Sequence, residues 1–282
     1  MKVVGMEYKI SKNKIQIFGK EDFSPEHILE CGQIFSYEKA AGGHYVVFST
    51  DKKAEIFETE TGYEIVAENP TYFESFFDLQ TDYAALKAGL LRYEILKEPI
   101  KFGHGIRILK QDLFETLISF IVSANNNIKR IQLILNRMRE KFGTKMSGYY
   151  AFPTRKQLLA ATEEDFSALG AGYRSKYLFK VLRHVNEDVL QDWQILSTKS
   201  LREKLISLAG VGPKVADCVL LFGFGRGDVF PVDTWIEKMY LRFYPAEKNL
   251  SREKIRFNLT DEFGLLSGYA QQYLFFFMRS GL

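Results

Sequence analysis

Hydrophobic and polar residues alternate from Tyr8 to Phe18 (Tyr8, Ile10, then Ile15, Ile17), and short runs of the same kind recur at Gln33–Tyr37, His44–Phe48, Ala54–Phe57 and Tyr63–Ala67. A period of two puts successive side chains on opposite faces of a half-buried strand. Gly42-Gly43, Asp51 and Gly62 separate the runs at regular spacing, which predicts an antiparallel meander. Ser24-Pro25 ahead of EHILE supplies an N-cap and a first-turn proline for a short helix, and a second helix is predicted near Asp82–Leu91. From about residue 100 the period changes. Leu113, Phe114, Leu117, Ile118 and Ile121 line one helical face, and Ile128, Ile131, Leu135, Met138 and Phe142 line another, joined by the polar turn Asn125-Asn126-Asn127. Ser200 with Glu203 matches a capping box opening LREKLISL. Further helices are expected over Thr234–Phe243, Ile255–Phe263 and Tyr269–Met278. The architecture predicted is α+β: an N-terminal antiparallel twisted β-sheet domain over residues 1–100, then an all-helical domain over residues 101–282.

Composition fits a chain with a real core: 282 residues, 46% hydrophobic and 26% charged. No apolar run approaches the roughly 20 residues of a membrane helix, and the start MKVVGMEYKISKNKIQIF lacks the apolar stretch of a secretory signal. A soluble protein acting in the cytoplasm is expected, at the nucleoid in a prokaryote or in the nucleus of a eukaryote. Two cysteines, Cys31 and Cys218, are too few for a disulfide framework or a four-cysteine iron–sulfur cluster. Four histidines without HxxxH spacing argue against catalytic zinc. No metal and no cofactor is therefore expected. Charge divides unevenly: residues 1–100 carry 11 Lys+Arg against 17 Asp+Glu (net −6), and residues 101–282 carry 27 against 18 (net +9). That asymmetry points the second part toward an anionic partner.

The chemistry concentrates in LAGVGPKVADC (Leu208–Cys218). Gly210 and Gly212 permit a hairpin too tight for side chains, and Pro213 suits the first turn of the next helix. Backbone N–H groups of Gly210, Val211 and Gly212, exposed at a helix N-terminus, form a site for a phosphate and read backbone rather than sequence. Lys214 follows at once, and 19 residues on VFPVDTW sets Asp233 at the N-cap of the Thr234–Phe243 helix. Taken singly these are an αα-hairpin, a surface lysine and a capping carboxylate. Together they form the pattern of the helix–hairpin–helix glycosylase superfamily, which this segment resembles. Lysine at Lys214 resembles the bifunctional branch, and LAGVGPKVADC with PVD is similar to 8-oxoguanine DNA glycosylases. CGQIFSY (Cys31–Tyr37), SANNNIKRI (Ser123–Ile131), GAGYRSKY (Gly170–Tyr177) and YAQQYLFFF (Tyr269–Phe277) agree, in the family's order over nearly the whole chain.

The resemblance implies a helical helix–hairpin–helix glycosylase domain after the β domain, acting as a monomer on double-stranded DNA that contains oxidised guanine, with no membrane partner. Lys214 would attack the anomeric carbon of the damaged nucleoside, for which its amine must be neutral. Asp233 would stabilise the positive charge that grows on the sugar. The target base must be flipped out of the duplex. By resemblance, Asn125, Arg130 and Arg174 hydrogen-bond the estranged cytosine while Tyr173 wedges beside it. Cys218 and Phe275 sandwich the flipped base, Gln271 meets its pairing edge, and the Gly32 carbonyl accepts the N–H that distinguishes 8-oxoguanine from guanine. The family's His two residues after the aspartate is Trp235 here, which keeps an N–H donor for phosphate but loses a protonatable group. The hairpin carbonyls also offer a place for a structural cation. Two alternatives stand beside this reading. One is a glycosylase of the same superfamily for an alkylated purine or oxidised pyrimidine. The other is a non-catalytic DNA-binding module that uses the hairpin for phosphates and has no use for Lys214 with Asp233.

Overall fold

The computed structural model describes residues 5–245, 247 and 250–281. Six strands form one antiparallel sheet: β1 (Tyr8–Ser11), β2 (Lys14–Phe18), β3 (Tyr37–Lys39), β4 (Tyr45–Ser49), β5 (Lys52–Thr59) and β6 (Gly62–Ala67), in the order β1-β2-β6-β5-β4-β3. Helices make up the rest, so the α+β class expected from the two periodicities is the one observed. No described helix is long and apolar enough to cross a membrane.

Two local expectations are corrected. The sheet is not a simple meander, because β2 pairs with β6 rather than β3. Buried Ile15 and Ile17 of β2 face Ile65 and Tyr63 of β6, and the segment from Gly19 to Ser36, with its Pro25–Leu29 helix, removes β3 from hairpin reach of β2. Gln33–Ser36 is also not a strand; extended pairing begins at Tyr37. The Gln33 side chain is fully buried and takes over the polar work: Nε2 donates to the carbonyls of Ile28 (2.9 Å) and Arg107 (2.8 Å), while Oε1 accepts from the Leu109 amide (2.8 Å). A buried amide that matches backbone groups in this way replaces the ladder a strand would have needed.

The chain packs as two compact units. One comprises residues 1–34, 55–110 and 225–282, the other residues 35–54 and 111–224. In the first, Leu90, Leu96, Ile100 and Ile106 share a core with Phe230, Ile236, Met239, Leu259, Phe263 and Leu274. Fully buried Arg107 stitches this unit internally. Its Nε and Nη groups donate to the carbonyls of Phe77, Asp22, Asp78 and Thr81, and its plane lies 4.0 Å from the Tyr83 ring centroid. In the second unit the Leu113–Ser123 helix is buried along its entire length. It carries Glu115 inward, satisfied by Ser36 Oγ (2.8 Å), the Thr50 amide (2.8 Å) and Arg139 Nη2 (3.0 Å). The Ile128–Phe142 helix buries Ile131, Leu135 and Met138, the face its 3-and-4 spacing predicts.

Candidate functional site

In the second unit the Thr198–Ile206 helix leads into the hairpin. Its cap is Ser197, whose Oγ accepts the Ser200 amide; the capping box expected at Ser200 is therefore corrected, Ser200 lying inside the first turn. Starting three residues earlier turns Leu201 and Leu205 fully into the core. The chain then tightens, and one expectation is corrected: the Val211 amide is not open to a phosphate but donates to the Leu208 carbonyl (3.1 Å), closing the turn in which Gly210 takes φ +81°. A Cβ on Gly210 would stand 2.6–2.8 Å from Tyr177, so only glycine fits there. Gly212, at φ −86°, is not conformationally special, and a Cβ there would meet nothing within 4 Å. What Gly212 supplies is openness. As N-cap of the Pro213–Phe222 helix it has no side chain to accept the first-turn amides, and Pro213 has none to offer. The N–H groups of Lys214 and Val215 are thus left for an external acceptor at the positive end of a helix.

Arg202 and Asp217 lock the two hairpin helices together through Nε···Oδ1 (2.6 Å) and Nη2···Oδ2 (3.2 Å), with the Asp217 side chain 1% exposed. Sequence reasoning passed over Asp217, although a carboxylate among the apolar positions of VADCVLLF was a signal that a cation must meet it. Removing the guanidinium takes the bidentate cation from a buried carboxylate. Arg202→Ala is expected to lower unfolding free energy by about 3 kcal/mol, read as a fall in melting temperature; an unchanged melting temperature would mean the pair does not hold the hairpin.

Lys214 sits half-buried on the first turn. Its Nζ lies 5.2 Å from the ring centroid of Phe120, itself packed against Phe35 and Phe222. Among the described residues Lys214 has no carboxylate partner and no side-chain hydrogen bond. Cys218 is one turn further along the same helix face and buried.

The same unit gathers Asn125, Tyr173 and Arg174 around one turn. Asn125 is left-handed (φ +49°). Buried Arg174 donates from Nε to the Ala124 carbonyl (2.8 Å), from Nη2 to those of Ala124 and Asn125 (2.7 Å for the latter), and from Nη1 to that of Ala171 (3.3 Å). Four of its five N–H groups therefore hold the chain itself, a role that sequence reasoning missed. Tyr173 is 55% exposed, its hydroxyl on the Ala124 carbonyl (3.2 Å) and its ring against the Arg174 guanidinium (4.5 Å). Arg130 is exposed, with Nη2 3.2 Å from the Gly170 carbonyl.

In the first unit Gly32 has φ +86° at the end of the turn after the Pro25–Leu29 helix. Gln272 Nε2 holds the neighbouring Cys31 carbonyl at 2.8 Å, and burial pushes the Cys31 thiol up to about 11, keeping it protonated. A Cβ on Gly32 would lie 3.0 Å from Phe275, which brings Gly32 and Phe275 together. Gln271 and Phe275 share one face of the Ser267–Arg279 helix; Gln271 is buried and its Oε1 has no partner among the described residues. Asp233 caps the Thr234–Phe243 helix: Oδ1 accepts the Trp235 and Ile236 amides, both at 3.0 Å, and Oδ2 has no hydrogen bond among the described residues. Half-buried Trp235 carries Lys238 Nζ 4.9 Å from its ring. No cluster of three or more metal-ligating side chains occurs among the described residues.

Comparison with known proteins adds to this geometry. Residues 15–117 match the model of the 8-oxoguanine DNA glycosylase N-terminal domain, and residues 118–263 match that of the HhH-GPD superfamily base excision DNA repair proteins. The chain is 38% identical over 211 residues to the N-glycosylase/DNA lyase of Saccharomyces cerevisiae, a match covering 61% of this chain and 56% of that protein, so it spans little more than half of that relative's length. It is 31% identical over 236 residues to a probable N-glycosylase/DNA lyase of Methanothermobacter thermautotrophicus, covering 74% of each. Its fold is similar to that of Clostridium acetobutylicum 8-oxoguanine glycosylase/lyase in complex with double-stranded DNA containing cytosine opposite 8-oxoG, with a TM-score of 0.90, 38% identity and 98% of both chains covered.

Proposed function

The chain belongs to the HhH-GPD superfamily of base excision DNA repair proteins and carries the 8-oxoguanine DNA glycosylase N-terminal domain, and from that premise we propose that it excises 8-oxoguanine opposite cytosine from duplex DNA and then nicks the strand. The observation that carries this reading is Lys214: an amine without a carboxylate partner among the described residues, one residue past the proline of a helix whose first amides have no side-chain cap. A phosphate bound by those amides would bring the sugar-phosphate backbone to the amine.

The chemistry follows from the groups available. Neutral Lys214 Nζ attacks C1′ of the flipped nucleoside; the glycosidic bond breaks, and its electron pair leaves with the base, which takes up a proton. Asp233, holding Oδ1 in its helix cap, presents a carboxylate to the positive charge forming on the sugar. The amine adduct gives up a proton, the C1′–O4′ bond breaks as C1′=N forms, and O4′ takes up that proton, opening the sugar to a Schiff base. Loss of a C2′ proton then expels the 3′ phosphate oxygen, cutting the strand. The carbonyl of Gly32, unclaimed among the described residues, suits the ring N–H of 8-oxoguanine; guanine presents a lone pair at the same place and would leave a buried acceptor unpaired, worth about 1–3 kcal/mol of discrimination. Gln271 and the faces of Phe275 and Cys218 suit the flipped base, and Trp235 offers its indole N–H to the backbone. Asn125, Arg130, Tyr173 and Arg174 suit the orphaned cytosine, with Arg174 chiefly stiffening the turn from which Asn125 projects. Arg130 is the exposed reader, so Arg130→Ala is expected to broaden acceptance of bases opposite the lesion; excision rates against cytosine, adenine and thymine that keep their wild-type ratio would remove it from the set.

Borohydride trapping tests the whole reading. Protein mixed with a duplex bearing 8-oxoguanine opposite cytosine and reduced should give a covalent protein–DNA band on a denaturing gel. Absence of the band together with base release from a duplex bearing an alkylated purine or oxidised pyrimidine would assign another lesion, and absence of any base release would leave a binding module.

A further inference from the structure

Three consecutive carbonyls at the end of the Pro25–Leu29 turn have different fates. That of Glu30 accepts Nη2 of Arg279, that of Cys31 accepts Nε2 of Gln272, and that of Gly32 has no partner among the described residues. With the Glu30 and Cys31 carbonyls held, the direction of the Gly32 carbonyl is left to the two soft dihedrals of Gly32 alone, and its φ is +86°. Arg279 does more than hold one carbonyl. Its guanidinium lies 5.4 Å from the Phe275 ring centroid, four residues back on the same helix face. Its Nη1 is buried, has no hydrogen-bond partner among the described residues, and stands 2.9 Å from where a Cβ of Gly32 would be. Phe275 Cε1 is 3.0 Å from that same point. Arg279, Gly32 and Phe275 therefore close on one another with no room for a methyl group.

We propose that Arg279 is a positioning residue for lesion recognition, clamping the Glu30 turn against Phe275 so that the Gly32 carbonyl and the Phe275 ring are held in fixed register for the flipped base. The proposal rests on the 8-oxoguanine reading above. Arg279 touches neither the sugar nor the reacting bond in this role, so it acts on base recognition and not on strand cleavage. Its planar fork is what the place demands: one edge donates to the turn while the face lies along an aromatic ring.

The test uses the full chain and two duplexes, one with 8-oxoguanine and one with a preformed abasic site, each opposite cytosine. Under single-turnover conditions Arg279→Ala is expected to lose about tenfold or more in base release, the worth of one well-placed polar contact, while nicking of the abasic site stays within about twofold of wild type. Retained nicking also reports retained fold. Arg279→Lys, which keeps a donor for the Glu30 carbonyl but no planar group for Phe275, should fall between alanine and wild type. An equal fall in both activities would reduce Arg279 to general structural support, and no fall in base release would remove the role altogether. Wild-type protein on the same duplexes separates the two levels. No release of 8-oxoguanine by wild type sinks the functional reading, whereas release by wild type that Arg279→Ala matches sinks this inference.

Discussion

Lys214→Gln is expected to abolish base release and strand nicking together, to the level of protein-free duplex, while binding to lesion-bearing DNA persists. Glutamine keeps length, helix propensity and a polar tip, so the first turn of the Pro213–Phe222 helix should form as before. Lys214 has no ion pair among the described residues, and its replacement should move stability by no more than about 0.5 kcal/mol. What disappears is the amine. An amide nitrogen is not a nucleophile toward the anomeric carbon, so no Schiff base forms and no elimination can follow. The hairpin amides and the turn at Asn125 are untouched, which is why binding should survive. The borohydride band must vanish with the variant; a band that remains would place the nucleophile on another residue.

Asp233 separates into two roles that substitution can divide. Asp233→Asn retains Oδ1 as acceptor for the Trp235 and Ile236 amides, and asparagine is as good an N-cap as aspartate, so the melting temperature should hardly change. The negative charge proposed to face the developing oxocarbenium is lost, and base release should fall by roughly 10²–10³-fold, the usual effect of removing one preorganised electrostatic partner of a transition state. Nicking at a preformed abasic site should suffer less, since no glycosidic bond remains to be broken. Asp233→Ala should show the same kinetic loss with an added destabilisation of about 1 kcal/mol from the missing cap. Base release by Asp233→Asn equal to wild type would leave Asp233 a capping residue and nothing more.

Much of this was legible in the residues because it depends on local order. The Thr234–Phe243 helix starts and stops where Asp233 and the apolar spacing say it should, and the Asn125–Asn127 turn separates two helices whose buried faces follow the 3.6 period. The misreadings share a cause. Ser197 and Ser200 are equally good caps by local pattern, and only the inward turn of Leu201 and Leu205 chooses between them. Gln33–Ser36 alternates like a strand, but the partners of Gln33 come from Ile28, Arg107 and Leu109, which no window of a few residues contains. Arg174 and Arg279 spend their donors on carbonyls about 50 and 249 positions away in sequence. Side chains that buttress a site are invisible until the fold brings distant backbone to them, whereas the groups proposed to do chemistry, Lys214 and Asp233, stand out by type and spacing.

The make-up of the first unit bears on the order in which the chain can fold. Every residue of the second unit, 35–54 and 111–224, is synthesised before the segment from 225 onward, so that unit needs nothing made later. The first does. Leu90, Leu96, Ile100 and Ile106 wait for Phe230, Ile236, Leu259 and Leu274, and the Cys31 carbonyl waits for Gln272, 241 positions later. At about 5–20 residues per second, adding the 58 residues from 225 to 282 leaves that apolar surface uncovered for roughly 3–12 s. A nascent chain in this interval exposes a half-built core and the β1 edge together, the combination most open to aggregation.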